Sequence, residues 1–465
     1  MSSVPINILR IDSRQTDARA ELARLREALG PRGNVVSEAG RRRTIEVFGE
    51  ALTPVEVVEK ICEDVRRRGL AAVLDYSARI DNAQLTAASL RVPREDLEAA
   101  HRQADPRFLA SIRRIRQNIV EFQSALLPQD VKIARPHGSY LAQHYLPLDR
   151  VGICVPGGAA AYTSTVLMTA VPAQVAGVRE LVVVAPPTVF GAYNPDLLAT
   201  CHELGISEVY RMGGAQAVAA LAYGVEGVRQ VDKIVGPGNL FVALAKKRVY
   251  GDVDIDSIAG PSEVVVIADA STRPDFTAAD MLAQAEHAPG ASILITWDQR
   301  MLDQTAAELE RQTAHLERGD LARQSLEQFG ALILVADADE AARLTDEIAP
   351  EHLHIATDNA EALLSKIRHA GAVFLGNYSP VAVGDYAAGP SHVLPTGGTA
   401  RFASGLSARD FLRSHSVLHF SREGLAELAE DIRTMANKEG LTAHRASVDV
   451  RIEKPGEPPA AGTRH

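Results

Sequence analysis

Between residues 55 and 68 apolar positions recur at three- and four-residue intervals, and the same spacing returns over 94–124. Residues three and four apart share one face of a helix, so both stretches are predicted helical. Thr53-Pro54 marks the start of the first, because proline is tolerated at the first helical position. A further helical segment is expected over 16–29, and the Arg41, Arg42, Arg43 cluster reads as a solvated turn.

From Val151 the pattern changes. Short apolar runs at 151–155, 180–185, 208–212 and one ending at Val235 alternate with helical stretches, the first containing Pro172, the others near 195–204 and 215–223. A second alternation places strands at 263–268, 292–296, 331–336, 354–356 and 372–375, with helices over 274–287 and 339–348. Apolar strands alternating with helices and punctuated by glycine loops predict an α/β protein with parallel βαβ sheets. The two halves are similar in make-up, without an exact sequence repeat. Residues 376–401 are rich in Gly, Pro, Ser and Thr, and a loop that long in a compact protein marks function. The chain after Arg409 reads as helical, and residues 454–465 have the composition of a disordered tail.

Composition removes several alternatives. With 465 residues, 46% hydrophobic and 23% charged, the chain has apolar surface for a sizeable core without disulfides or a structural metal. A net charge of −10 disfavours nucleic acid and anionic membranes, which both need a basic footprint. Three scattered cysteines, Cys62, Cys154 and Cys201, form neither a disulfide framework nor a four-thiolate zinc site. The 14 histidines point instead to imidazole and oxygen ligands for any transition metal. The uncharged run 151–178 contains Pro156, Gly157, Gly158 and Pro172, and reads as strand, loop and buried helix rather than a membrane span. The first residues carry no basic segment followed by an apolar one, so a cytoplasmic protein is expected.

Five fragments could carry chemistry. The loops Val155-Pro156-Gly157-Gly158, Gly213-Gly214-Ala215-Gln216 and Gly236-Pro237-Gly238-Asn239 fall where strands end, the place where open parallel sheets bind ligands. They lack a full G-x-G-x-x-G, since Phe241 stands where its third glycine belongs, and plain tight turns remain an alternative. Gln284 and His287 share a helix face, as metal ligands or as a histidine favourably placed at a helix end. Glu351-His352 sets two proton-transfer groups side by side, or simply begins a strand. Asp385 and His392, seven apart on the long loop, can converge on a ligand, as can Glu439 and His444 near the C-terminus. For both of these pairs a solvated loop with scattered polar residues is the alternative.

Taken in order, VPGGAAAYTSTVLM, GGAQAVAALAYG, VDKIVGPGN, IAGPSEVVVIAD, DMLAQAEHAP, APEHLHI, SPVAVGDYAAGPSHVLPTGGTAR and EGLTAHRASV closely resemble the histidinol dehydrogenase family over about residues 20–450. The resemblance implies two incomplete Rossmann-like parallel-sheet domains with small helical N- and C-terminal segments, in an intertwined homodimer. The implied partition is 1–48 helical, 49–153 with 262–405 as a discontinuous α/β domain, 154–261 as the NAD-binding α/β domain, and 406–453 helical and reaching the partner's active site. It implies one Zn²⁺ per subunit on Gln284, His287 and Asp385, with His444 supplied across the dimer. It assigns acid–base work to Glu351 and His352 and NAD contacts to Gln216 and Asn239. Substrate contacts are implied for Ser262, His392 and Glu439, together with Gln284, His287, His352, Asp385 and His444.

The implied reaction takes L-histidinol through L-histidinal to L-histidine, the final steps of histidine biosynthesis, with two NAD reduced. Zinc has no redox chemistry, so it would orient substrate while NAD accepts hydride. One position departs from the family, which often has a tyrosine where Cys154 stands. Two other readings share parts of this pattern. One is a dehydrogenase of the same scaffold acting on another small polar alcohol, such as a sulfonated diol. Ser262, His392 and Glu439 argue against it. The other is a catalytically silent metal-binding protein, against which every proposed catalytic position holds a competent side chain.

Overall fold

The computed structural model describes residues 5–29, 38–158, 160–287 and 289–452. Its strands in chain order are β1 (Leu9–Asp12), β2 (Val131–Ala134), β3 (Tyr140–Pro147), β4 (Arg150–Cys154), β5 (Glu180–Ala185), β6 (Glu208–Arg211) and β7 (Lys233–Val235). Then follow β8 (Asp254–Ile255), β9 (Ser262–Ala268), β10 (Gly290–Thr296), β11 (Gly330–Leu334), β12 (His352–Ala356), β13 (Ala372–Leu375) and β14 (Leu412–His419). The chain divides into two units, one of residues 1–126 with 148–411, the other of 127–147 with 412–465.

The first unit holds two wholly parallel sheets, as the strand–helix alternation predicts. One runs β6-β5-β4-β7-β8 and the other β1-β11-β10-β9-β12-β13. Leaving β1 aside, the two orders are the same: the first strand of each half lies centrally, the next two on one side, the last two on the other. The similarity of the halves is therefore topological, although no residue repeat carries it. Near-continuous Val, Ile and Leu make β4, β9, β10 and β11 buried along almost their whole length, as parallel strands covered on both faces require. Helices Pro54–Arg68, Gly214–Tyr223 and Leu240–Val249 cover one face of the five-stranded sheet. Separate apolar clusters fill both faces of the six-stranded one.

Several expectations change. The arginine cluster lies in a helix, Glu38–Phe48, where Arg43 pairs with Glu46 one turn on. The period over 94–124 is two helices, Arg94–Gln103 and Pro106–Ala125, because a proline cannot continue the ladder. Near the N-terminus β1 joins the edge of the six-stranded sheet against β11. The stretch after Arg409 is not wholly helical: in the second unit β14 pairs antiparallel with β3, which also pairs with β2. Helices Arg422–Lys438 and Thr442–Ile452 follow it. The run 151–178 is a strand, a loop and the buried helix Thr163–Ala176, and among the described residues no helix is long and apolar enough to cross a membrane. The tail at 454–465 lies outside the described residues.

Candidate active site

The three glycine loops meet at the carboxyl edge of the five-stranded sheet. They wall a cavity of about 510 Å³ whose lining includes Pro156, Gly157, Gly213, Gln216, Gly238 and Asn239. The cavity opens at the point where β4 and β7 diverge to opposite sides, the switch point where such sheets take ligands. Two helices begin at its wall. Asn239 caps one, its Oδ1 accepting from the N–H groups of Phe241 and Val242 at 3.1 and 3.2 Å. Gly213 precedes the other, and a Cβ there would press within 3.0 Å of Pro186. The helix after Gly213 has no side-chain cap, and backbone N–H groups at such a start suit the phosphates of a dinucleotide, whereas Asn239 already occupies those of Phe241 and Val242.

Gln216 is buried in the wall, and its Nε2 donates to Asp81 Oδ2 at 3.0 Å. Burial raises the Asp81 carboxyl to about 6, against the bond from Gln216. Asp81, Arg43 and Phe48 all line this cavity, and nothing in the sequence singled them out for it. Phe48 and Asp81 stand at helix ends and Arg43 lies mid-helix among polar neighbours. Cys154 also lines it, but burial pushes its thiol up to about 12, as it does those of Cys62 and Cys201. None of the three is a thiolate nucleophile at neutral pH.

A second constellation forms at the amino edge of the six-stranded sheet, opposite in sense to the edge where such sheets ordinarily bind. Glu351 and His352 stand at the start of β12, Ser262 at the start of β9, and Gln284 and His287 just before β10. The helix Ala338–Ile348 ends on Ala349 in a left-handed conformation, φ +47°, and Pro350 then turns the chain into the site. Such a conformation costs a non-glycine residue about 1–2 kcal/mol and persists only where surroundings impose it.

Glu351 and His352 are 5% and 4% exposed, so both must titrate almost out of water. Glu351 Oε2 accepts the Glu263 N–H at 2.9 Å and lies 3.6 Å from His352 Nδ1. Burial raises Glu351 to about 7, although His352, the Glu263 N–H and the Ser262 hydroxyl all pull it down. Burial alone would lower His352, but Glu351 and Asp385 outweigh it and raise the imidazole to about 9. His352 Nε2 stands 3.4 Å from Asp385 Oδ1 and, among the described residues, has no hydrogen-bond partner.

Asp385 sits on the short helix Val381–Tyr386 within the long loop. Burial works to raise its carboxyl, while His352, His392 and His287 outweigh burial and hold it low. Of the three, His352 approaches the carboxylate itself, at 3.4 Å. His392 Nδ1 bonds the Asp385 carbonyl oxygen at 2.9 Å, which fixes the seven-residue turn between them. His287 lies just past the end of helix Pro274–Ala285, its N–H still bonded to the Gln284 carbonyl. The two therefore keep helical spacing although the helix has ended.

The Gln284 side chain is 3% exposed, and its Nε2 has no hydrogen-bond partner among the described residues. A buried amide N–H left unpaired costs about 1–3 kcal/mol and calls for an acceptor, whereas a metal would be held by the amide oxygen Oε1 instead. Amide, imidazole and carboxylate together form an N/O donor set of the kind zinc accepts. Among the described residues no group of three or more His, Cys, Asp or Glu side chains is gathered to hold a metal ion. Of those types the set on this unit has only His287 and Asp385, with Gln284 beside them.

Glu439 and His444 belong to the other unit. Glu439 caps helix Arg422–Lys438, and His444 lies in the first turn of Thr442–Ile452 rather than in a loop. Together they line a hollow of about 310 Å³ with Ile432, Met435 and Leu441.

Known proteins resemble the chain closely. The family model described as histidinol dehydrogenase matches residues 50–452. The chain is 63% identical over 442 residues to histidinol dehydrogenase of Rhodopirellula baltica, covering 95% of this chain and 96% of that protein. It is 47% identical to the enzyme of the same name from Geobacillus kaustophilus, over 89% of this chain and 97% of that one. The crystal structure of histidinol dehydrogenase from Elizabethkingia anophelis superposes with a TM-score of 0.86 at 33% identity, covering 97% of this chain and 99% of that chain.

Proposed function

The chain belongs to the histidinol dehydrogenase family, a family of oxidoreductases, and on that premise we propose that it oxidises L-histidinol through L-histidinal to L-histidine. The observation that carries this reading is the Glu351–His352–Asp385 chain, three proton-handling groups in sequence with the first two buried. Gln284, His287 and Asp385 would hold zinc, with the partner subunit's His444 as fourth ligand. Gln216 and Asn239 would contact NAD in the cavity of the five-stranded sheet. When bound, zinc orients the substrate's nitrogens and NAD accepts hydride in each oxidation. The strand order of both sheets supports the Rossmann-like reading of the two α/β domains.

His352 is the base of the first oxidation. Its Nε2 faces the site without a hydrogen-bond partner, placed to accept the alcohol proton. Glu351 and Asp385 both favour its protonated form, Glu351 the more, and an Asp385 carboxylate holding zinc would favour it less, which would ease loss of that proton to leave a base. Glu351 suits the second step. Near pH 7 a carboxyl raised to about 7 is part ionised, able to take a proton from the water that attacks the aldehyde. Ser262 and the Glu263 N–H hold it in place. Ser262, His392 and Glu439 contact the substrate's far end. No thiol takes part, in keeping with three neutral, buried cysteines.

The test is NADH formation from L-histidinol, followed spectrophotometrically with and without a chelator. Two NADH per histidinol, lost on chelation and restored by zinc, is the expected result. One NADH per alcohol, or turnover of a sulfonated diol instead, would overturn it.

A further inference from the structure

Behind the glycine loop that ends β7 lies an ion pair that none of the steps above uses. Lys246, on helix Leu240–Val249, and Asp256, just past β8, pair with each other at 2% and 3% side-chain exposure. Both also hold one residue of the loop. The Gly236 N–H donates to Asp256 Oδ2 at 2.7 Å, and the Gly236 carbonyl accepts from Lys246 Nζ at 3.0 Å. Asp256 Oδ1 accepts from the Ser257 N–H at 2.6 Å.

Gly236 is the first residue beyond β7, so its peptide groups have left the ladder and need other partners. Its φ of +104° favours glycine, and a Cβ would fall 2.2 Å from the Cys154 carbonyl oxygen. Chain direction after β7 therefore depends on what holds this one residue. The next three residues, Pro237, Gly238 and Asn239, line the cavity, whereas Lys246 and Asp256 do not.

A buried ion pair is a poor source of stability, because desolvation cancels much of the attraction and apolar replacements are often neutral or better. A fixed geometry is the better account of this one. We propose that Lys246 and Asp256 are positioning residues that set the Gly236–Asn239 loop in the shape that binds the cofactor. The inference rests on the reading of this cavity as the NAD site.

The test is NADH affinity, read by fluorescence titration of the zinc-loaded full chain, alongside thermal melting. Lys246→Met alone leaves a buried carboxylate unpaired and can fail to fold. The double variant Lys246→Met, Asp256→Asn removes both charges and keeps an acceptor for the Gly236 N–H. It should melt within a few degrees of the parent yet bind NADH about tenfold more weakly, the worth of one charge-assisted hydrogen bond. Hydrogen exchange in the peptide spanning 233–242 should quicken. Parental NADH affinity in the folded double variant would overturn the positioning role alone. A parent protein that binds no NADH would overturn the cavity assignment and this inference with it.

Discussion

A carboxyl group drawn out of water keeps its proton longer, and Asp81 illustrates the consequence for stability. Its folded value of about 6 lies above the ordinary value near 4, so folding favours the protonated form. Stability from this group is complete below about pH 4, falls as pH rises through 6, and stays lowered beyond. Asp81→Asn removes that penalty while leaving an acceptor for Gln216. A gain of about 1–2 kcal/mol at pH 8 and almost none at pH 4 is expected in urea denaturation, allowing for partial solvent access. An equal gain at both values would trace to packing instead. On the proposed function Glu351 and His352 differ in kind, because their shifts would arise beside substrate and serve chemistry. Acid–base assistance is typically worth about 10²–10⁴-fold. His352→Asn should therefore remove most of the first oxidation, whereas Glu351→Gln should chiefly slow oxidation of added L-histidinal. Normal turnover of histidinal by Glu351→Gln would refute that division of labour.

At the scale of elements, what the chain makes legible is whatever repeats. The buried strands β4, β9, β10 and β11 are continuous apolar runs, and Thr53 with Glu56 forms a capping box that starts a helix where the proline signal puts it. Edges and ends are less legible. β14 alternates arginine, serine and histidine with few apolar residues, so the pattern gave no strand signal, and its antiparallel partner β3 lies far off in sequence. The helix Glu38–Phe48 was hidden by three successive arginines, one of them satisfied by Glu46. The same limit applies to the site. Glu351, His352, Gln284, His287, Asp385 and His392 could be named as candidates because motifs carry them. Asp81, Lys246 and Asp256 act through distant partners, and a contact between residue 81 and residue 216 leaves no periodic trace.

The molecule as a whole uses one strand order twice but faces its chemistry to opposite edges. Glycine loops at the carboxyl edge of one sheet wall the cavity proposed for NAD, while Glu351 and His352 sit at the amino edge of the other. Glu439 and His444 belong to the second unit, where they line a hollow of their own. If His444 completes the metal set of the partner, lesions at Asp385 and His444 must complement in trans. Asp385→Asn and His444→Ala homodimers should each be inactive. In a mixed dimer one site collects both lesions and the other collects none. Equal mixing yields half mixed dimers, each with one good site of two, so about a quarter of wild-type activity should return. Exchange is verified by native mass spectrometry of differently tagged chains. A site built within one chain would leave every subunit carrying its own lesion, and activity would stay at zero however complete the exchange.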